Sequence, residues 1–320
     1  MVKKRRLGKT KIYVSEIGLG GWQLGEPTII NNQPSTAFGG MDEKTALSII
    51  RKAIELGINT FDTADIYSLG NSEYRLGKAL KEYRSDVNIF TKGGNIVGNP
   101  AGHDISYHHL MASIDRSLNR LQTDYVDLFQ VHVPPKTEQE FTDVEKVFND
   151  IKSEGKSRHC GISVGIRYEQ GKEIIKRKLA DSIQIYFSLI DQKPLKELLP
   201  LAKKNNVGVI VAEPLAQGLL TNKYKIGHIF PKNDLRSSGY SKQLLEKKLK
   251  RVKQFNFLIK KDRTLNQAAL AYILSKEEVS ICIPGAKSTK QLISNTISSK
   301  IKINQPELKK IKEIQEEWRD

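Results

Sequence analysis

The chain has 320 residues, of which 38% are hydrophobic, and a formal net charge of +16 at pH 7. Because no composition shift and no linker rich in proline, glycine or serine divides it, we expect a single domain over residues 1–320 with a sizeable core. No apolar run is long enough to span a bilayer, and no apolar signal core follows the basic start. We therefore expect a cytoplasmic protein without a membrane partner.

The positive charge would suit nucleic acid or an anionic surface as a partner. The lysines, however, are spread along predicted helices and interleaved with glutamates, as in residues 246–251. No helix-turn-helix, zinc-finger or RNA-binding signature accompanies them. We therefore expect a lysine-rich, solvated surface and no nucleic-acid partner, and the same charge would attract an anionic phosphate cofactor. Cys160 and Cys282 lie in predicted strands and are expected to be buried free thiols.

A hairpin opens the chain, and a regular alternation of strands and helices follows. Residues 6–15 place Gly8 in a turn between two short strand-like pieces. Short apolar runs then predict buried parallel strands at residues 17–19, 58–61, 87–91, 126–131, 158–162, 182–186, 207–212 and 279–283. Helical spacing of apolar residues predicts helices at residues 42–56, 72–81, 106–121, 140–153, 169–177, 195–205, 242–260, 264–275, 289–298 and 306–318.

Eight strand–helix units over this length predict an α/β protein with a (β/α)8 TIM barrel. The N-terminal β-hairpin precedes the barrel, and an extra C-terminal helix follows its last unit. The alternative is an open, doubly wound parallel sheet. That fold normally carries a G-x-G-x-x-G pattern after its first strand, and residues 18–23 do not fit the pattern.

Four polar residues each lie just beyond one of the predicted strands. Asp62 and Tyr67 follow the second strand, Lys92 closes the third, and His132 closes the fourth. Because the carboxyl ends of parallel strands share one face, an acid, a phenol, an amine and an imidazole would gather there as a proton-transfer set. The other five histidines, among them His103, have no comparable placement. No Cys, His or Asp cluster has ligand spacing, so we expect no metal site.

The motifs around these residues resemble those of the aldo-keto reductases. The resemblance runs from about residue 7 to residue 295 and follows the family's order. It rests on Phe61–Tyr67 with Asn71–Glu73, on Phe90–Gly93 around Lys92, on Asp124–His132, and on Ile283–Lys287. It implies a reductase that converts an aldehyde or ketone, as its small-molecule substrate, to an alcohol with NADPH or NADH. Some relatives with this fold are regulatory subunits of membrane channels, and that function is the alternative.

The resemblance assigns a role to each member of the proton-transfer set. Tyr67 would be the general acid, and a nearby ammonium, Lys92, would lower the pKa of its phenol from about 10. Asp62 would keep the lysine charged and oriented. His132 would donate a hydrogen bond that positions the substrate oxygen. Trp22 would line the substrate pocket, together with the irregular stretch at residues 23–40.

The resemblance also assigns cofactor contacts. Ser163 and Gln184 would hold the nicotinamide carboxamide, and Phe187 would stack on the ring. The remaining contacts would come from Leu215 and Gly218 to the pyrophosphate, and from Lys287, Ser288, Gln291 and Asn295 at the start of a helix that favours phosphate. Val164 replaces the family's usual asparagine, and Ser288 its usual arginine. We therefore expect NADP as the cofactor, with only a modest preference over NAD. The sequence shows no pattern that indicates an oligomeric state.

Overall fold

The computed structural model describes residues 2–26, 40–96, 102–232 and 234–318, and the backbone of residues 28–30 and 33–36. Its strands are β1 (Lys4–Arg6), β2 (Tyr13–Ser15), β3 (Leu19–Gly20), β4 (Thr28–Ile30), β5 (Gln33–Thr36), β6 (Thr60–Asp62), β7 (Asn88–Gly93), β8 (Asn95–Ile96), β9 (Gly102–His103), β10 (Val126–Val131), β11 (Ser157–Gly165), β12 (Ser182–Tyr186), β13 (Gly208–Ala212) and β14 (Ile281–Cys282). Its α-helices are α1 (Glu43–Glu55), α2 (Asn71–Leu80), α3 (Tyr107–Leu121), α4 (Glu138–Ser153), α5 (Tyr168–Lys176), α6 (Leu198–Lys204), α7 (Arg236–Gly239), α8 (Lys242–Gln254), α9 (Leu265–Leu274), α10 (Thr289–Ile297) and α11 (Gln305–Glu316).

Eight parallel strands form a barrel in the order β3, β6, β7, β10, β11, β12, β13 and β14. The last strand meets the chain entering the first, because the amide of Gly18 donates to the Cys282 carbonyl at 2.8 Å. The amide of Cys282 in turn donates to the Glu16 carbonyl at 2.9 Å. The ring therefore closes, which confirms the predicted (β/α)8 barrel and excludes the open sheet.

The N-terminal hairpin closes the end of the barrel that lies opposite the polar strand ends. Leu7 and Val14 are fully buried there, in one apolar cluster with barrel residues Phe90, Leu128 and Ile210. The predicted hairpin is confirmed as β1 and β2. Because it fills the amino-terminal end of the barrel, the carboxyl ends of the strands remain as the open end.

Most predicted boundaries agree with the structure to within a few residues, and the differences have local causes. The helix predicted from residue 140 begins at Glu138, because Thr137 caps it and Glu140 closes a capping box. The helix predicted over 242–260 ends at Gln254 and is followed by a 3-10 turn at Asn256–Leu258. The pairs β4–β5 and β8–β9 were not predicted, since strands of two to four residues show no periodicity.

Both cysteines are buried free thiols, as predicted. Over the ranges that the structure describes, no helix has both the length and the apolar character needed to cross a membrane.

Candidate active site

A lysine and an aspartate form a buried ion pair at the carboxyl ends of β6 and β7. Lys92 is 0% exposed and Asp62 is 2% exposed. Lys92 Nζ donates to Asp62 Oδ1 at 2.5 Å and to the Thr63 carbonyl at 2.7 Å. The two strands are neighbours in the barrel, with Asp62 paired to Phe90, so the register itself brings the two charges together. Each charge loses hydration on burial, and the pair with its hydrogen bonds offsets that cost.

The phenol of Tyr67 lies beside this pair, with its oxygen 3.4 Å from Lys92 Nζ. Tyr67 belongs to the loop between β6 and α2. The next three residues, Ser68, Leu69 and Gly70, adopt positive φ angles of 50°, 55° and 86°. Non-glycine residues seldom adopt that conformation, and three in a row turn the chain sharply into α2. The turn keeps Tyr67 close to the strand ends.

The electrostatic surroundings of Tyr67 differ from our expectation. Burial raises the pKa of its phenol well above the ordinary value of 10.0, and the charges of Asp62, Glu213 and Asp65 raise it further. The prediction of a phenol pKa below its ordinary value is therefore wrong, because burial and the three carboxylates outweigh the nearby ammonium of Lys92. Asp62, 2.5 Å from the ammonium, offsets part of the attraction that Lys92 exerts on a phenolate. Tyr67 stays protonated in the neutral range, as a proton donor must be before it reacts.

The imidazole of His132 faces Tyr67 from the end of β10, with the ring centroids 5.8 Å apart. Burial lowers the pKa of His132 well below its ordinary value of 6.5, and the charges of Lys92 and His103 lower it further. His132 is therefore neutral at physiological pH and has one N–H to donate. Its Nδ1 lies 2.6 Å from Asn95 Nδ2, and Asn95 Oδ1 lies 2.8 Å from His103 Nδ1.

Two glutamine side chains hold the second oxygen of Asp62. Gln184 Nε2 donates to Asp62 Oδ2 at 2.8 Å, and Gln130 Nε2 donates to it at 3.1 Å. Gln184 is the residue that we expected at the nicotinamide carboxamide. Because its amide nitrogen already donates to Asp62, a cofactor amide would meet its carbonyl oxygen Oε1. Gln184 would then link the cofactor to the ion pair.

The strand ends open into a cavity of about 1590 Å³. Asp62, Tyr67 and His132 line one end of it, together with Trp22, whose ring meets that of Tyr67 edge-on at a centroid distance of 4.8 Å. Lys92 is fully buried and lies behind the wall. Every predicted cofactor residue lines the same cavity: Ser163, Gln184, Phe187, Leu215, Gly218, Lys287, Ser288, Gln291 and Asn295.

Cations and a helix N-terminus form the other end of the cavity. Ser288 is the N-cap of α10, and its hydroxyl accepts from the amide of Gln291 at 3.2 Å. Gln291 Oε1 in turn accepts from the amide of Lys287 at 2.8 Å. Burial lowers the pKa of Lys287, and the charges of Arg236 and Lys223 lower it further. A site where several cations and a helix N-terminus meet favours a bound anion.

The described part of the segment that follows β13, residues 224–232 and 234–240, contributes lining residues to this end of the cavity. Arg236 anchors it, through an ion pair with Asp234 at 2.6 Å and donation to the Gln217 carbonyl at 2.8 Å. Its guanidinium carbon also lies 4.4 Å from the centre of the Phe230 ring. Arg236 thus joins Asp234 and Phe230 of this segment to the loop that contains Gln217. Of the irregular stretch predicted at residues 23–40, residues 27, 31–32 and 37–39 lie outside the described residues.

Two positions near the expected nicotinamide site are set mainly by core packing. Val164 is fully buried in the main apolar core, so its side chain offers nothing in place of the missing amide. Phe187 is 1% exposed and lies against Tyr272, with the ring centroids 6.3 Å apart. Its ring lines the cavity but is fixed largely by core packing.

Sequence reasoning missed several polar side chains around the set. Asn95 lies three positions beyond Lys92, and His103, which we had set aside, bonds to it. Glu213 directly follows β13 and lines the cavity, and its carboxylate accepts from Gln217 Nε2 at 3.0 Å. Asn95 and Glu213 could have been predicted as site residues from the sequence, because each follows the end of a barrel strand. Within the described part of the chain, no group of three or more His, Cys, Asp or Glu could hold a metal ion.

A carboxylate behind the site has an unusual environment. Burial and the nearby charge of Glu73 together raise the pKa of Asp65 to about 6. Ser113 Oγ donates to Asp65 Oδ2 at 2.8 Å. Its other oxygen, Oδ1, is buried and has no hydrogen-bond partner among the described residues.

Known proteins share this architecture. The holo form of the aldo-keto reductase AKR11C1 from Bacillus halodurans matches it with a TM-score of 0.80 and 31% identity, over 98% of this chain and 96% of that chain. The "NADH-specific methylglyoxal reductase" of Escherichia coli (strain K12) is 30% identical over 334 residues, which cover 98% of this chain and 99% of the relative.

A third relative is named for a different role. The "Putative voltage-gated potassium channel subunit beta" of Schizosaccharomyces pombe is 33% identical over 335 residues, which cover 97% of this chain and 92% of the relative. The model of the aldo/keto reductase family matches residues 16–316. With this match over nearly its whole length, the chain belongs to the aldo/keto reductase family of oxidoreductases.

Proposed function

We propose that this protein reduces an aldehyde or ketone to an alcohol, with Tyr67 as the proton donor. One observation carries the proposal: Lys92 Nζ reaches both Asp62 Oδ1, at 2.5 Å, and Tyr67 Oη, at 3.4 Å, beside the ring of His132. A bound nicotinamide dinucleotide would supply the hydride. The residues of the chain would then supply the proton, orient the carbonyl and stabilise the charge that develops.

Lys92 acts after Tyr67 begins to lose its proton. The phenol is protonated at rest, and its high pKa makes the phenolate costly to form. As the proton moves to the carbonyl oxygen, negative charge develops 3.4 Å from the ammonium of Lys92. The fixed ammonium stabilises that charge, while Asp62 holds the ammonium in place. Neutral His132 donates a hydrogen bond to the same carbonyl oxygen and polarises it.

The residues present fit a nicotinamide dinucleotide. The same cavity of about 1590 Å³ is lined by Asp62, Tyr67 and His132 and by the cations Lys287, Arg236 and Lys223. Ser163 and the carbonyl oxygen of Gln184 would hold the carboxamide near Tyr67. Phe187 would flank the ring, the loop with Leu215 and Gly218 would hold the pyrophosphate, and Lys287, Ser288, Gln291 and Asn295 would hold the adenosine phosphate.

We further propose a modest preference for NADPH over NADH. Lys287 would meet a 2′-phosphate as a point charge, without the two-pronged fit that an arginine would give. The preference should then be on the order of 1–3 kcal/mol, the worth of one charged hydrogen bond. A relative named as an NADH-specific reductase supports NADH as the alternative donor.

A panel of aldehydes, ketones and sugars tests the proposed activity. Each would be incubated with the protein and NADPH or NADH, and the loss of reduced-cofactor absorbance would be followed. We expect turnover of at least one carbonyl class, abolished in Tyr67→Phe. Cofactor binding without turnover of any carbonyl would contradict the proposal.

A second candidate is a cofactor-binding regulatory subunit of a membrane channel. The observation that favours it is the similarity to the relative named as a channel subunit. It predicts co-purification with a channel and negligible turnover on every carbonyl tested. The complete set of Asp62, Tyr67, Lys92 and His132 argues for the reductase.

A further inference from the structure

Three side chains form a hydrogen-bonded row from the cavity to the surface. His132 lines the cavity, Asn95 is half-buried, and His103 is exposed. We propose that Asn95 and His103 are positioning residues that fix the tautomer of His132, with its proton on Nε2. The inference rests on the proposed function, in which His132 donates a hydrogen bond to the carbonyl oxygen of the substrate.

The backbone places these side chains next to one another. In the register of β8 and β9, Asn95 lies directly opposite His103, and such cross-strand neighbours are in contact. The amide of His132 donates to the Gly93 carbonyl at 2.8 Å, which brings the end of β10 beside the start of β8. Gly94 makes the turn between β7 and β8 with a φ of 106°, and a Cβ there would approach Ile105 Cγ2 to 2.9 Å. Glycine is therefore required at the turn that aims Asn95 at His132.

The chemistry of an amide decides which nitrogen of His132 carries the proton. Asn95 Nδ2 is only a donor, and it lies 2.6 Å from His132 Nδ1. In the neutral imidazole, Nδ1 must therefore accept, and the single proton must be on Nε2. Nε2 is then the donor available to a carbonyl oxygen. The opposite tautomer would turn a lone pair towards that oxygen, where two acceptors repel each other.

A protonated His103 holds the amide in the required orientation. Asn95 Oδ1 lies 2.8 Å from His103 Nδ1, and a charged imidazolium can only donate at that atom. A charged His103 therefore excludes the flipped amide. Burial lowers the pKa of His103, and the charges of Arg167 and Lys136 lower it further. Above that pKa, neutral His103 can also accept at Nδ1, and the flipped amide becomes available.

Three substitutions separate these roles. Asn95→Leu keeps the approximate volume and removes both hydrogen bonds, so kcat should fall about tenfold, the worth of one neutral hydrogen bond, with KM changed less. Asn95→Asp offers only acceptors and would draw a proton to His132 Nδ1. His103→Phe leaves Asn95 without its outer partner and should have a smaller effect than Asn95→Leu. His108→Phe, on the exposed face of α3, is the matched control.

The deciding measurement is the tautomer of His132, read from the 15N chemical shifts of its two ring nitrogens. Protein labelled with 15N-histidine would be compared with the variants across pH, and His132 would be assigned from the signals lost in His132→Gln. Among the described residues, the titratable and charged groups that act on the two histidines, besides each other, are Tyr67, Lys92, Lys136 and Arg167. Below the pKa of His103 we expect Nε2–H in the wild type and the His108→Phe control, and above it both should approach the mixture expected in Asn95→Leu and His103→Phe. Asn95→Asp should show Nδ1–H once its His132 is neutral.

Either of two results would overturn the inference: a wild-type His132 with its proton on Nδ1, or an Asn95→Leu protein that keeps wild-type shifts and wild-type kcat. The measurement does not depend on turnover. If the tautomer pattern holds and no carbonyl is reduced, the positioning of His132 stands and the proposed function fails.

Discussion

The buried pair of Asp62 and Lys92 predicts a strong thermodynamic coupling. Lys92→Met leaves the Asp62 carboxyl, 2% exposed, without its cation and with the amides of Gln130 and Gln184 as its partners among the described residues. Asp62→Asn leaves a fully buried ammonium that keeps the Thr63 carbonyl. Removal of one partner from a buried pair typically costs about 3–5 kcal/mol, so each single variant should lose that much stability. The double variant removes both charges, so its loss should be smaller than the sum by on the order of 2–3 kcal/mol.

Urea unfolding, followed by tryptophan fluorescence and by circular dichroism, measures these losses. Lys81→Met is the matched control, because Lys81 is exposed, and it should change stability by less than about 0.5 kcal/mol. All three variants of the pair should also lose turnover. If the two single losses simply add in the double variant, the pair is not coupled and its buried geometry is wrong.

Two further predictions concern the cofactor and a second carboxylate. Lys287→Ala should reduce the preference for NADPH over NADH. Ser288→Arg should increase that preference, but it should also lower the stability of the protein by about 1 kcal/mol, because it removes the N-cap of α10. Cofactor titrations at two salt concentrations check this, with exposed Lys300→Ala as the control. Asp65 has a folded-state pKa of about 6, above its unfolded value, so its ionisation destabilises the fold as pH rises from about 4 to 6. Asp65→Asn, which can still accept from Ser113, should therefore stabilise the protein by about 1–3 kcal/mol at pH 7, and the gain should vanish near pH 4 in urea unfolding.

The fold could be predicted from the sequence because strand and helix periods are local signals. The apolar run at residues 126–131 became β10 with the same bounds, and the helix predicted over 42–56 became α1 at Glu43–Glu55. Strand order then follows from the right-handed connections of parallel barrels. Asp62, Tyr67 and His132 meet because their strands end on one face, which the alternation alone implies.

The contacts between side chains could not be predicted in this way. The row from His132 through Asn95 to His103 depends on the pairing of β8 with β9, and strands of two residues have no periodic signal. The net shift of the Tyr67 pKa depends on burial and on Glu213, which is distant in the sequence. The motif predicted a lysine near the phenol, but the 2.5 Å distance between Lys92 and Asp62 could be obtained only from the structure.

The identity of Tyr67 as the proton donor is the central claim, and one rate tests it most directly. The rate is single-turnover oxidation of the reduced cofactor by an accepted aldehyde, measured for wild type, Tyr67→Phe and the exposed control Tyr83→Phe. We predict that Tyr67→Phe is slower by about a hundredfold or more, the scale of a lost general acid, with unchanged cofactor affinity and a control at the wild-type rate. A Tyr67→Phe protein that reduces the aldehyde at the wild-type rate would contradict the account.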